Sequence, residues 1–96
     1  MYRVIDARGT GKTFKLLEKA NEVGGIIVCK NARGMREKAK TWGFDNIQDF
    51  VDYYPSVGYH YEQPVFIDEL EEYAKVLAGR TFAGYTYTFF EEDESI

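Results

Sequence analysis

The segment Asp6-Ala7-Arg8-Gly9-Thr10-Gly11-Lys12-Thr13 agrees with the phosphate-binding pattern G-x-x-x-x-G-K-[ST] at every position but the first, where Asp6 stands for glycine. Glycines let such a loop curl until successive amide N–H groups point at one anion. A helix starting there presents its free N–H groups and the positive end of its dipole to the same anion. Lys12 adds a full positive charge, and the Thr13 hydroxyl is an oxygen donor of the kind magnesium prefers. Arg8, Gly9, Thr10, Gly11, Lys12 and Thr13 are therefore the candidate ligands of a phosphate group. Asp6 would repel a phosphate that it faced, so it is expected to point away or to brace the loop.

The flanks suit this reading. Tyr2 to Asp6 reads as a short strand centred on β-branched Val4 and Ile5. From Lys12 or Thr13 to Val23, the residues Phe14, Leu17 and Ala20, with Leu16 and Val23 beside them, recur at helical spacing, and Gly24-Gly25 ends the helix. Gly25-Ile26-Ile27-Val28-Cys29 is a continuous apolar run, the pattern of a strand buried on both faces of a parallel sheet. Asn31 is a good N-cap for a second helix, with Met35, Ala39 and Trp42 on one face and Gly43 at its end. Asn46 to Phe50 reads either as a short strand or as the entry to a helical turn. Val51 to Glu62, Tyr-rich and interrupted by Pro55 and Gly58, reads as a long loop.

Val65-Phe66-Ile67 is a further apolar strand and ends in Asp68-Glu69. A third helix follows, with Leu70, Tyr73, Ala74 and Leu77 on one face and Gly79 at its end, and Gly84 to Phe90 alternates like a strand. Strands separated by helices predict an α/β fold, a mostly parallel sheet of four to five strands with helices on both faces. Ligands of such sheets sit at the carboxyl ends of the strands. Asp68 and the phosphate loop would then share one edge, with Thr13 and Asp68 holding magnesium and Glu69 orienting or deprotonating an attacking water. Taken alone, Asp68-Glu69 would be a polar first turn of the third helix. The phosphate loop is what favours a metal role.

These two motifs together resemble the P-loop NTPases, in the branch with an additional catalytic glutamate that includes helicases, AAA-type ATPases and the large terminase ATPases of bacteriophages. The resemblance covers roughly residues 2–90 and implies a minimal three-layer P-loop fold that binds ATP and Mg2+, with Lys12 and Glu69 as catalytic groups. It implies a last strand inserted between the first strand and the Asp-Glu strand, carrying a γ-phosphate sensor at Thr86 or Thr88. It also implies a phage or prophage protein acting on or near nucleic acid, alone, as a homo-oligomer or in a larger phage or host complex. The rival reading is a nucleotide-binding or degenerate P-loop module that regulates or interacts without significant turnover.

The remaining features carry less. The chain of 96 residues suits one domain, here residues 1–90, followed by an acidic tail over 91–96. A formal charge of −4 argues against a cation overall but leaves room for a basic face at Lys30, Arg33, Arg36, Lys38 and Lys40, either a nucleic-acid contact or a solvated helix surface. Arg80 is a candidate arginine finger or a complement to a helix dipole. Tyr53, Tyr54, Tyr59, His60 and Tyr61 could stack on bases, cap the core or form an interface. His60 has no partner at metal-ligand spacing. The single cysteine, Cys29, excludes an internal disulfide and suits a reducing cytoplasm, that of a bacterial host if the chain is phage-encoded. Cys29 and Trp42 are expected in the core. No apolar run reaches the roughly 20 residues that span a bilayer, and the N-terminus lacks the apolar run of a signal peptide.

Overall fold

Ile26–Cys29 form the strand around which everything else is arranged, and all four residues are buried. We call it β2, after a short β1 at Tyr2–Arg3. The computed structural model describes residues 1–5, 11–79, 81–86 and, for the backbone, 94–95. β2 is central in a parallel sheet, flanked by β3 at Asp49–Asp52 and β4 at Val65–Ile67. Its register aligns Ile27 with Phe50 and Phe66, and Val28 with Val51 and Ile67. Because side chains alternate across a strand, these two rows face opposite ways.

Each row nucleates its own core. On one face Ile27, Cys29 and Phe50 pack with Leu16, Leu17 and Ala20 of helix α1 (Lys12–Val23) and with Met35 and Ala39 of α2 (Ala32–Thr41). On the other, Val28 packs with Val57 and with Tyr73 of α3 (Leu70–Ala78), and Val51, Tyr53, Tyr54, Tyr61, Val65 and Ile67 close around them. The result is a small α/β domain with a parallel three-stranded sheet and three helices, α1 and α2 on one face and α3 on the other. Fully burying a side chain such as Leu17 contributes about 1.5–3 kcal/mol, so β2 and α1 carry much of the stability.

The helix ends follow local chemistry. α1 closes through Gly24, in the left-handed conformation, and Gly25 N–H donates to Ala20 O at 2.8 Å. Asn31 caps α2 as expected, its side chain accepting from Gly34 N–H at 3.0 Å, and the Asp52 carboxylate accepts from Ala32 N–H at 3.0 Å. Gly25 has a packing reason as well. A Cβ built there would lie 2.6 Å from the Phe66 ring, so only glycine lets β4 approach.

Four expectations need correction. Residues 46–50 resolve as the approach to and start of β3, which continues through Val51 and Asp52 into the segment read as a loop. The rest of that Tyr-rich segment is the loop expected, carrying a 3-10 turn at Val57–His60 and held to the domain by Tyr61 O–H donating to Asp49 at 2.9 Å and Tyr73 O–H donating to Tyr54 O at 2.8 Å. Trp42 is 41% exposed, outside the core, because α2 ends before it and turns at Gly43. The last strand among the described residues is β5 at Glu94–Ser95, within the span read as an acidic tail, and it pairs in parallel with Tyr2–Arg3. Residues 82–86 form no strand. Their alternating Tyr and Thr suit a pleated surface, but β propensity is realised only against a partner. Among the described residues, no helix is long and apolar enough to cross a membrane.

Candidate functional site at the carboxyl edge of the sheet

α1 begins at Gly11, whose φ of 81° lies in the left-handed region open to glycine at low cost. Gly11, as the N-cap residue, offers no side chain to cap the first-turn N–H groups. Lys12 and Thr13 follow at once, both half-buried. β4 ends beside them. Asp68 N–H donates to Val28 O at 2.9 Å, extending the ladder by one bond and fixing Asp68 on the edge.

There the two motifs meet. The Thr13 hydroxyl donates to Asp68 Oδ1 at 3.2 Å, across 55 positions of sequence. Burial pushes the Asp68 carboxyl above its usual range, against the Thr13 hydrogen bond and the positive charges of Lys38 and Lys12. Asp68 is not the N-cap of α3. Glu69 occupies that position, and its side chain makes no capping bond. The polar-first-turn reading of Asp68 therefore lacks its hydrogen bond, whereas the reading that pairs it with Thr13 has one.

Glu69 is exposed and held at φ 59°, a left-handed conformation that few residues other than glycine adopt. Outliers of this kind concentrate at functional sites, where surrounding structure sustains them. Here the support is visible. Tyr53 O–H donates to Asp68 O at 2.6 Å and approaches Glu69 O at 3.3 Å, and its ring sits edge-on to Tyr73 with centroids 5.5 Å apart. Burial and the neighbouring carboxylates push the Tyr53 phenol far above its usual range, so it remains a donor. A hydrogen bond with the Glu71 carboxyl raises Glu69 and lowers Glu71, with burial and mutual repulsion adding to the rise, while Lys12 opposes it.

A hydroxyl and a carboxylate meeting at a helix N-terminus fit magnesium. That ion takes one or two protein oxygens and completes its shell with water and phosphate. Among the described residues no three or more His, Cys, Asp or Glu side chains gather into a metal cage. Zinc-type sites built from such clusters find no counterpart there.

The structure thus brings together Gly11, Lys12, Thr13, Asp68 and Glu69. Asp6, Arg8, Gly9, Thr10, Arg80 and Thr88 lie outside the described residues. Thr86 is exposed in irregular chain, so the sensor expected on a strand there has no strand to sit on. The basic residues Lys30, Arg33, Arg36, Lys38 and Lys40 are all exposed, and Arg36 also lies 3.3 Å from Asp49 and over the Phe50 ring. Sequence reasoning marked Tyr53 only as an aromatic of the Tyr-rich segment, because its hold on Asp68 O depends on a contact 15 residues away.

Compared with models of protein families, with curated proteins and with solved structures, the chain matches none.

Proposed function

We propose that this domain binds magnesium–ATP or another magnesium–nucleoside triphosphate and hydrolyses it slowly in isolation. In this reading the fold is a minimal P-loop arrangement, in which the stretch between β1 (Tyr2–Arg3) and α1 (Lys12–Val23) would hold the phosphates. The observation that carries it is the Thr13–Asp68 hydrogen bond. It joins the end of the phosphate-loop motif to the acid that follows an apolar strand, the two oxygen donors such a site needs. Lys12 and the amides at the start of α1 would neutralise phosphate charge, the largest expected contribution to catalysis. Glu69, beside Asp68 and raised in basicity by Glu71, would orient or deprotonate water. Arg8, Gly9 and Thr10 belong to the same proposed loop.

The reading without turnover has support of its own, since the Glu69 carboxyl is engaged with Glu71. Single-turnover hydrolysis of Mg-ATP by the wild type and by Glu69→Gln separates the two. Faster release of phosphate by the wild type supports an ATPase. Equal rates leave a nucleotide-binding module. A nucleic-acid role through Lys30, Arg33, Arg36 and Lys40, and assembly into a homo-oligomer or a larger phage or host complex, extend the proposal.

A further inference from the structure

We propose that Phe14, Trp42 and Phe44 form the platform on which the base of the bound nucleotide stacks, an inference that rests on the phosphate-site reading above. The three rings are in mutual contact. Phe14 lies 5.1 Å from Trp42 and 5.3 Å from Phe44 between centroids, and Trp42 lies 6.3 Å from Phe44. Phe44 packs against the main core and anchors the group. Phe14 and Trp42 remain 38% and 41% exposed, so the platform presents aromatic surface to solvent.

Its position selects the ligand. Phe14 follows Thr13 directly, about 3.8 Å away along the backbone, so the platform starts where the proposed phosphate site ends. Trp42 joins it from the end of α2 through its ring contact with Phe14. A nucleotide with its phosphates at the start of α1 would have its flat, apolar end beside these rings. Aromatic stacking holds a base without reading its edge, which suits tolerance of more than one base. The Tyr-rich segment is a poorer platform, because Tyr53, Tyr54 and Tyr61 pack against the second core and the hydroxyls of Tyr53 and Tyr61 are engaged.

Trp42 is the chain's single tryptophan, so its fluorescence reports on this platform alone among tryptophans. The test titrates the wild type with Mg-ATP and with magnesium tripolyphosphate, following Trp42 emission and measuring each affinity by calorimetry. ATP is expected to quench Trp42 and to bind between about fivefold and a hundredfold more tightly than tripolyphosphate. Phe14→Leu, which keeps an apolar residue on α1, is expected to lose most of that preference and retain tripolyphosphate binding. Equal affinities with unchanged Trp42 emission, or a Phe14→Leu variant with the full preference, would overturn the platform while leaving the phosphate site standing. Binding of neither ligand would overturn the phosphate-site reading and the platform with it.

Discussion

Thr13 Oγ1 and Asp68 Oδ1 lie 3.2 Å apart, the one on the first turn of α1 and the other one residue past the end of β4. Parallel pairing of β4 with β2 sets Asp68 at the edge, and packing of α1 on the same sheet brings Thr13 to it. The contact is therefore a product of the fold, and its energetics can be tested before any ligand is added.

Asp68 should be a liability in the free protein. Burial raises its carboxyl in the folded state above the usual carboxylate range, so the folded chain takes up the proton more readily than the unfolded one. Stability from this group is then highest at acid pH and falls as pH rises through the folded value. Asp68→Asn should melt higher than wild type at neutral pH without ligand, with the gap shrinking as pH falls toward 4. Thermal melts of the two proteins from pH 4 to pH 7.5 check this. The order should reverse with Mg-ATP present, since the variant loses the proposed metal ligand.

The turn at Glu69 makes a second prediction. At φ 59° a residue with a Cβ is strained, whereas glycine is not. Glu69→Gly should therefore be about 1 kcal/mol more stable than Glu69→Ala, the opposite of the usual order. Both variants should lose hydrolysis. Urea denaturation of the pair gives the difference, and a less stable glycine variant would contradict the strained turn.

Tyr53→Phe removes the hydroxyl that holds this turn. Losing its bond to Asp68 O should cost about 1 kcal/mol, seen as a lower denaturation midpoint with an unchanged slope.

How much of this was readable in advance depended on how local each signal is. The run Ile26-Ile27-Val28-Cys29 needs no partner to be recognised, and α1 and α2 announce their ends with Gly24, Asn31 and Gly43. β3 was ambiguous because Asp49 and Asp52 bracket only two apolar residues. Its strand character comes from pairing with β2. Gly84 to Phe90 looked like a strand from composition, yet residues 84–86 lack one, since alternation does not specify a partner. Thr13 and Asp68 could be matched by motif. The hold of Tyr53 on the Asp68 carbonyl arises from a contact between distant segments, and the exposure of Trp42 from the end of α2 just before it, neither of which periodicity encodes.

Gly25→Ala tests the close approach of β4 to β2. The added methyl would meet Phe66 Cε1 at 2.6 Å and Pro64 O at 3.0 Å, so strands or ring must shift. We expect a loss of about 1–3 kcal/mol by chemical denaturation, against a few tenths for a surface change.

The most direct test of the central claim is the melting temperature of the wild type and of Lys12→Ala, each with and without Mg-ATP. A ligand at a hundred times its dissociation constant adds about 2.7 kcal/mol, on the order of 10 °C or more for a domain of this size. The account predicts that rise for the wild type and its loss in Lys12→Ala. No rise for the wild type at millimolar Mg-ATP, or an equal rise in both proteins, would contradict a nucleotide site built on Lys12, Thr13 and Asp68.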